Sequence, residues 1–203
     1  MIKIYVAKLP QTESCEELLC RERQKEISAI SNERVRREKY YVWKLLEYAA
    51  KDGFGIDASN IRFMKSKHGK WMCKEFEFSI SHSTEAIAVA VSDSAVGIDV
   101  ERIRVKRSKK LAEYILTELE LFEYSDVPDE KSEDYIVRKW CQKEAVFKSQ
   151  NKARFIPSEI ETAEFFCFTN AFEIGEEKYI IATAAKKRQP VELFELYDLF
   201  LNA

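Results

Sequence analysis

The chain has 203 residues, 46% hydrophobic and 33% charged, enough for one ordinary domain or two small ones with real cores and too apolar for general disorder. Its 33 Lys and Arg against 35 Asp and Glu give a net charge of -2, which argues against nucleic acid as a partner because no global field would hold a phosphate backbone. Five glycines leave little material for a glycine-rich phosphate loop, and two histidines, His68 and His82, are too few for a histidine-rich metal centre. A metal here would be a hard cation held by carboxylates. The five cysteines are odd in number and contain no C-x-x-C pair, which speaks against a disulfide framework or a zinc site and fits a reducing, cytoplasmic setting. The apolar run in Met1 to Pro10 is too short for a secretory signal, and no later stretch reaches membrane-span length, so no membrane association is expected.

In chain order, Ile2, Ile4 and Val6 alternate with Lys3, Tyr5 and Ala7, the two-residue period of a strand. From Glu16 to about Ala50 the composition is helical, with a break at Ser31-Asn32 that would cap a second helix and an end at Lys51-Asp52-Gly53. Phe76, Phe78 and Ile80 alternate with polar residues. Together with Ile87 to Val91 and Ala95 to Val100 they predict an antiparallel meander. A basic stretch follows Glu101, then a capping box Thr117-x-x-Glu120, an acidic loop around Pro128 and a helix from Tyr135 to about Gln150. Ile160 to Ile174 and Lys178 to Ala184 read as strands around Gly175, and Val191 to Leu201 is a short apolar end. The order of elements suggests an α+β fold of two α/β lobes, divided near Gly97 into 1–97 and 98–203.

Several residue groups could carry chemistry. Asp99 and Glu101 lie two apart on a predicted strand, so both carboxylates leave one face while Ile98 and Val100 enter the core. Alone, such a pair is most often a solvated strand face. Trp140, Glu144 and Lys148 are spaced by four and line one stripe of a helix, where a Glu-to-Lys pair is commonly a minor helix stabiliser. Ser81-His82-Ser83 places a histidine among hydroxyls at a strand end, more often structural than functional. Gly53-Phe-Gly55-Ile-Asp57-Ala58 matches a dinucleotide-binding spacing but follows a helix instead of a strand, so a helix-ending turn explains it better.

Taken in order, Phe78-Ser79-Ile80-Ser81-His82-Ser83, Gly97-Ile98-Asp99-Val100-Glu101 and Trp140-Cys141-Gln142-Lys143-Glu144-Ala145-Val146-Phe147-Lys148 resemble the 4′-phosphopantetheinyl transferases that activate peptide synthetases and carrier proteins. Their F-x-x-S-H-S, G-I-D-x-E and W-x-x-K-E-x-x-x-K motifs match position for position. His68-Gly69-Lys70 stands in the place of the family's G-K-P segment, with Trp71 where proline is usual. The resemblance covers the chain up to roughly Pro157.

The resemblance implies two similar lobes related by a pseudo-two-fold axis, coenzyme A in the cleft between them, and a monomer. It implies Mg-dependent transfer of the phosphopantetheine arm to a serine of an apo acyl or peptidyl carrier protein, with release of adenosine 3′,5′-bisphosphate. By similarity Asp99, Glu101 and Glu144 would hold Mg²⁺, Lys148 would contact the pyrophosphate, Ser81 and His82 would meet the 3′-phosphate, and Gly69 and Lys70 would approach the adenine. Glu144 is also the best candidate for general base. Arg34, Arg37 and Lys44 compete for a further phosphate contact from the early helix. The basic stretch from Arg102 to Lys110 is either a solvated loop or a docking surface for an acidic carrier. A non-catalytic protein that binds coenzyme A or a nucleotide in the same fold is the alternative.

Overall fold

In the computed structural model, which describes residues 1–14, 16–103 and 109–200, helices and strands are mixed and the strands form two main sheets. In the first, β1 (Ile2–Lys8) pairs antiparallel with β5 (Ala86–Ser92), which pairs with β4 (Glu77–Ser83). β9 (Val191–Glu195) lies parallel on the other side of β1. The alternation of β1 serves two cores at once. Ile2, Ile4 and Val6 face the second sheet, whereas Tyr5 and Ala7 pack toward the long helix α2 (Glu33–Phe54).

Asn32 caps α2 as its position predicts, its side chain accepting from the Val35 amide at 3.1 Å. The helix runs past the expected stop at Gly53, however, and ends at Phe54, with Gly55 in the left-handed conformation at φ 69°. A side chain at Gly53 would press on Val91, 3.1 Å from an ideal Cβ, so this glycine lets the helix approach β5 instead of ending the helix. Ahead of α2 only α1 (Arg21–Ser28) is helical among the described residues from 16 to 31. A small hairpin, β2 (Met64–Lys65) and β3 (Trp71–Met72), follows α2.

The predicted meander divides after its second strand. β6 (Val96–Arg102) leaves the first sheet and pairs with β8 (Glu177–Ala185), whose other neighbour is β7 (Phe166–Ile174). One face of β6 (Val96, Ile98, Val100) meets Ala86, Ala88 and Ala90 of β5 and the apolar face of β1 in a core shared by both sheets. Small alanines on that face let the sheets approach closely.

The outer face of the second sheet is covered by α5 (Asp129–Gln150), with Val137, Cys141, Ala145 and Val146 against Ile180, Ala182 and Ala184. This helix begins six residues before Tyr135, so the acidic residues after Pro128 form its first turn, where negative charge suits the helix dipole. Shorter helices α3 (Lys109–Ile115) and α4 (Glu118–Ser125) precede it. The Thr117–Glu120 capping box is formed by both of its hydrogen bonds, 3.0 and 3.3 Å. Residues 157–164, expected to be strand from Ile160, instead make two one-turn 3-10 helices, and β7 starts at Phe166. The first of them is bracketed by Lys143, wholly buried in α5, whose ammonium donates to the carbonyls of Pro157 and Ile160, each at 2.9 Å. Since β9 completes the first sheet although it follows the second in sequence, a cut into 1–97 and 98–203 does not give each sheet a segment of its own.

Candidate active site

Two tight packing choices bring the motifs together. Gly97 lies under α5 so closely that an ideal Cβ would stand 1.8 Å from the Ala145 carbonyl oxygen. The glycine therefore sets the spacing between β6 and α5, and with it the distance from Asp99 and Glu101 to Glu144 and Lys148. On the other side, β4 runs beside β6 and delivers Ser81, Ser83 and His82.

Lys148 is the centre of the resulting group. Its ammonium donates to Asp99 Oδ1 at 2.7 Å and Ser81 Oγ at 3.3 Å, with Glu144 Oε2 at 3.8 Å. Burial lowers the pKa of Lys148, but the Asp99 and Glu144 carboxylates outweigh it and the net shift is upward. Glu144 is raised, first by burial and then by Asp99 and Glu101, against the pull of Lys148. Asp99 is buried, and its Oδ2 has no hydrogen-bond partner among the described residues. Glu101 accepts from Ser83 Oγ at 3.0 Å.

Hard oxygen donors, together with an orphaned buried carboxylate oxygen, fit a hard divalent cation. Among the described residues no three acidic, His or Cys side chains are already gathered around one point. Lys148 stands between Asp99 and Glu144 instead.

Asp99, Glu144, Lys148, Ser81 and His82 all line one cleft of about 450 Å³, shared with Arg23, Lys39 and Lys65. It adjoins a second of about 350 Å³ that includes Gly69, Lys70, Trp71 and Lys148. The His82 side chain is 37% exposed and otherwise covered, with Nδ1 3.5 Å from Glu38. Burial of the ring, then Lys148 and Lys39, lower its pKa against Glu38. Lys70 donates to the backbone carbonyl of Lys148 at 2.9 Å, and burial lowers its pKa. Gly69 takes φ 84° in the turn that carries it.

Two expected contacts have other occupations. The Ser81 hydroxyl donates to Asp99 at 2.8 Å while its oxygen accepts from the Val100 amide at 3.3 Å, so it is committed to holding an acid. Lys44 turns away from the cleft to Glu16 and Glu47, at 3.2 and 3.6 Å. Arg34 pairs with Glu38 at 2.9 Å, and Arg37 donates to the Gln11 carbonyl at 2.8 Å. The α2 residues that line the cleft are Val42 and the cation Lys39, which is five positions before Lys44 and about 140° around the helix.

Arg23 and Lys65 were not legible as site residues. Arg23 is buried over Trp43 at 5.1 Å and Trp71 at 5.9 Å, and Lys65 lies over Trp71 at 5.0 Å. Glu26 pairs with both, at 2.7 and 2.5 Å. Trp71, in the position usually held by proline, is thus the platform that carries two cations to the cleft wall. Of the basic stretch after Glu101, residues 104–108 lie outside the described residues.

The model of the 4′-phosphopantetheinyl transferase superfamily matches residues 95–188, the segment that holds Asp99, Glu101, Glu144 and Lys148. Over that segment, a little under half of its length, the chain is similar to the 4′-phosphopantetheinyl transferase superfamily. It is 29% identical over 142 residues to the 4′-phosphopantetheinyl transferase gsp of Aneurinibacillus migulanus, covering 69% of this chain and 55% of that protein. A 4′-phosphopantetheinyl transferase of Bacillus subtilis is 26% identical over 163 residues, 70% of each chain. A putative one from Haemophilus influenzae is 32% identical over 114 residues, 54% of this chain and 47% of the relative. The chain therefore spans little more than half the length of the first of these transferases and about half of the last.

Proposed function

We propose that the protein is a 4′-phosphopantetheinyl transferase that moves the phosphopantetheine arm of coenzyme A to a serine of an apo acyl or peptidyl carrier protein. The observation that carries this reading is the meeting of Lys148 with Asp99 and Glu144 in one cation-lined cleft. Coenzyme A presents a pyrophosphate and a 3′-phosphate, roughly four negative charges. Arg23, Lys39, Lys65, His82 and Lys148 are the groups to neutralise them, the adjoining cleft at Gly69, Lys70 and Trp71 taking the adenine end. Asp99, Glu101 and Glu144 would hold Mg²⁺, which would supply charge stabilisation on the phosphoryl oxygens.

In the transfer, the carrier serine oxygen bonds to the β-phosphorus. The phosphorus–oxygen bond to adenosine 3′,5′-bisphosphate breaks, and the serine proton goes to a base. Glu144 fits that base, since burial and neighbouring acids raise its proton affinity while leaving it on the cleft wall. Lys148, held charged by its carboxylates, would stabilise the leaving bisphosphate. We read the two sheets with α2 and α5 as lobes related by a pseudo-two-fold axis, the chain crossing from one to the other near residue 97 and β9 returning to the first, and the whole working as one monomeric, cytoplasmic catalytic unit. For the basic stretch from Arg102 to Lys110, a solvated loop and an electrostatic docking surface for the carrier are equal readings.

The test incubates the protein with coenzyme A, Mg²⁺ and a panel of apo carrier proteins and weighs the carriers by mass spectrometry. Gain of one phosphopantetheine group on a carrier is the expected result. Coenzyme A bound with no carrier modified would instead support the non-catalytic alternative.

A further inference from the structure

Between the two sheets runs a set of hydrogen bonds with a fixed register. The Ile98 amide donates to Ser79 Oγ at 3.1 Å, the Val100 amide to Ser81 Oγ at 3.3 Å and the Arg102 amide to Ser83 Oγ at 3.3 Å. Each pair is separated by 19 residues, which requires β4 and β6 to run side by side in the same direction. β4 is an edge of the first sheet and β6 an edge of the second, so serine hydroxyls take the place of a backbone ladder at the junction. An edge strand normally leaves such amides open to solvent or to another chain. Here the Ile98, Val100 and Arg102 amides of β6 are each satisfied by a serine hydroxyl, which reaches across without joining the sheets into one plane.

The same hydroxyls do a second thing. Ser81 donates its proton to Asp99 and Ser83 donates to Glu101, both across 18 residues, at 2.8 and 3.0 Å. The equivalent partner of Ser79 would be residue 97, which is the glycine that has no side chain and lies against α5. Ser79 therefore joins the strands without orienting an acid, whereas Ser83 does both. Ser83 touches Glu101 and the Arg102 amide and, like Glu101, is not among the residues that line the 450 Å³ cleft, so it would act through Glu101 and not on a ligand.

We propose that Ser79, Ser81 and Ser83 form a hydroxyl ladder that couples the sheet edges, and that Ser83 is a positioning residue that fixes the Glu101 carboxylate. The positioning half rests on the reading of Glu101 as a metal ligand; the ladder half does not. A hydroxyl that accepts from a rigid backbone amide can point its proton in few directions, so the strand register becomes the orientation of the carboxylate.

The two halves separate experimentally. In the full chain, amide hydrogen exchange followed by NMR should show Ser79→Ala losing protection at Ile98 and Ser83→Ala losing it at Arg102, each by about tenfold relative to the other β6 amides. Mn²⁺ binding, read from the free-ion EPR signal without carrier or turnover, should weaken by about tenfold or more in Ser83→Ala. It should stay near the parent value in Ser79→Ala and recover in Ser83→Thr, which keeps the hydroxyl. Ser83→Cys, close in size but a weaker donor, replaces the alanine variant if that chain does not fold. Unchanged Arg102 protection in Ser83→Ala would overturn the ladder. Equal Mn²⁺ loss in Ser79→Ala and Ser83→Ala would assign the effect to a loosened junction and overturn the positioning role. A parent protein that shows rung-specific protection but binds no Mn²⁺ would remove the metal reading and the positioning role together, leaving the ladder.

Discussion

Burial alone would make a lysine at position 148 easier to deprotonate, yet its two carboxylate neighbours reverse the shift and keep it charged. In turn the ammonium is the positive charge that Asp99 and Glu144 share. Lys148→Met leaves those acids facing each other uncompensated, and transfer should slow by about 100-fold or more, as when one charge-stabilising donor is removed. The same variant should gain more melting temperature from added Mg²⁺ than the parent does, because a second cation can then relieve the repulsion. Identical Mg²⁺ responses in the two chains would dissociate Lys148 from the acids' charge balance.

His82 gives a proton-linked prediction. Burial of its ring, with Lys148 and Lys39 adding to it against Glu38 and Asp99, holds its pKa below the ordinary value of about 6.5. The neutral ring therefore predominates at pH 7. Its contribution to stability is complete above the unfolded value and is lost as pH falls through the lowered folded value. A phosphate brought next to the ring would raise that pKa, so adenosine 3′,5′-bisphosphate should bind more tightly as pH falls from 8 to 6 and take up a fraction of a proton. Calorimetry in two buffers of different ionisation heat measures that uptake, which should vanish in His82→Ala. Binding by the parent without proton uptake would separate His82 from the phosphate.

At the scale of elements, the period of two on β4 and β6 and the spacing of four on α5 were enough to place Ser81, Asp99, Glu144 and Lys148 on the right faces, because side-chain direction follows from local geometry. The strand partners were not legible. Nothing local distinguishes a third meander strand from one that crosses to a second sheet, since the choice depends on alanines in β5 and serines in β4 that β6 meets only in the folded chain. Arg23 and Lys65 escaped for the same reason, one on a short helix and one on a two-residue strand, joined through Trp71.

Gly97 and Lys143 are the elements' fasteners. Gly97→Ala forces β6 from α5 and should cost about 3 kcal/mol or more in urea denaturation while separating Asp99 from Lys148. Lys143 is wholly buried, with Glu120 at 2.7 Å as its counter-charge and two carbonyls as further acceptors. Lys143→Ala leaves Glu120 with Lys139 at 3.2 Å but strips two inward carbonyls of their donor, and should cost about 1–3 kcal/mol in the same measurement. A loss near zero in either variant would contradict the packing on which its role depends.

For the molecule as a whole, the decisive fact is that one apolar core belongs to both sheets. Ile2, Ile4 and Val6 of the first strand lie in the same cluster as Ile98, Tyr179 and Ile181 of the second sheet, and β9 returns after the second sheet to close the first. Neither half can unfold without exposing the other half's core, so the two should not melt independently. Trp43 and Trp71 report on the first sheet and its helix, and Trp140 on the α5 side. Fluorescence of Trp140→Phe, which retains the first pair, and far-UV circular dichroism of the whole chain should give the same urea midpoint. They should also give one slope of about 2–3 kcal/mol per M, as for cooperative unfolding of a single unit. An earlier fluorescence midpoint would mean that the first sheet opens alone, and a cleft built across the junction would then be lost before the second sheet unfolds.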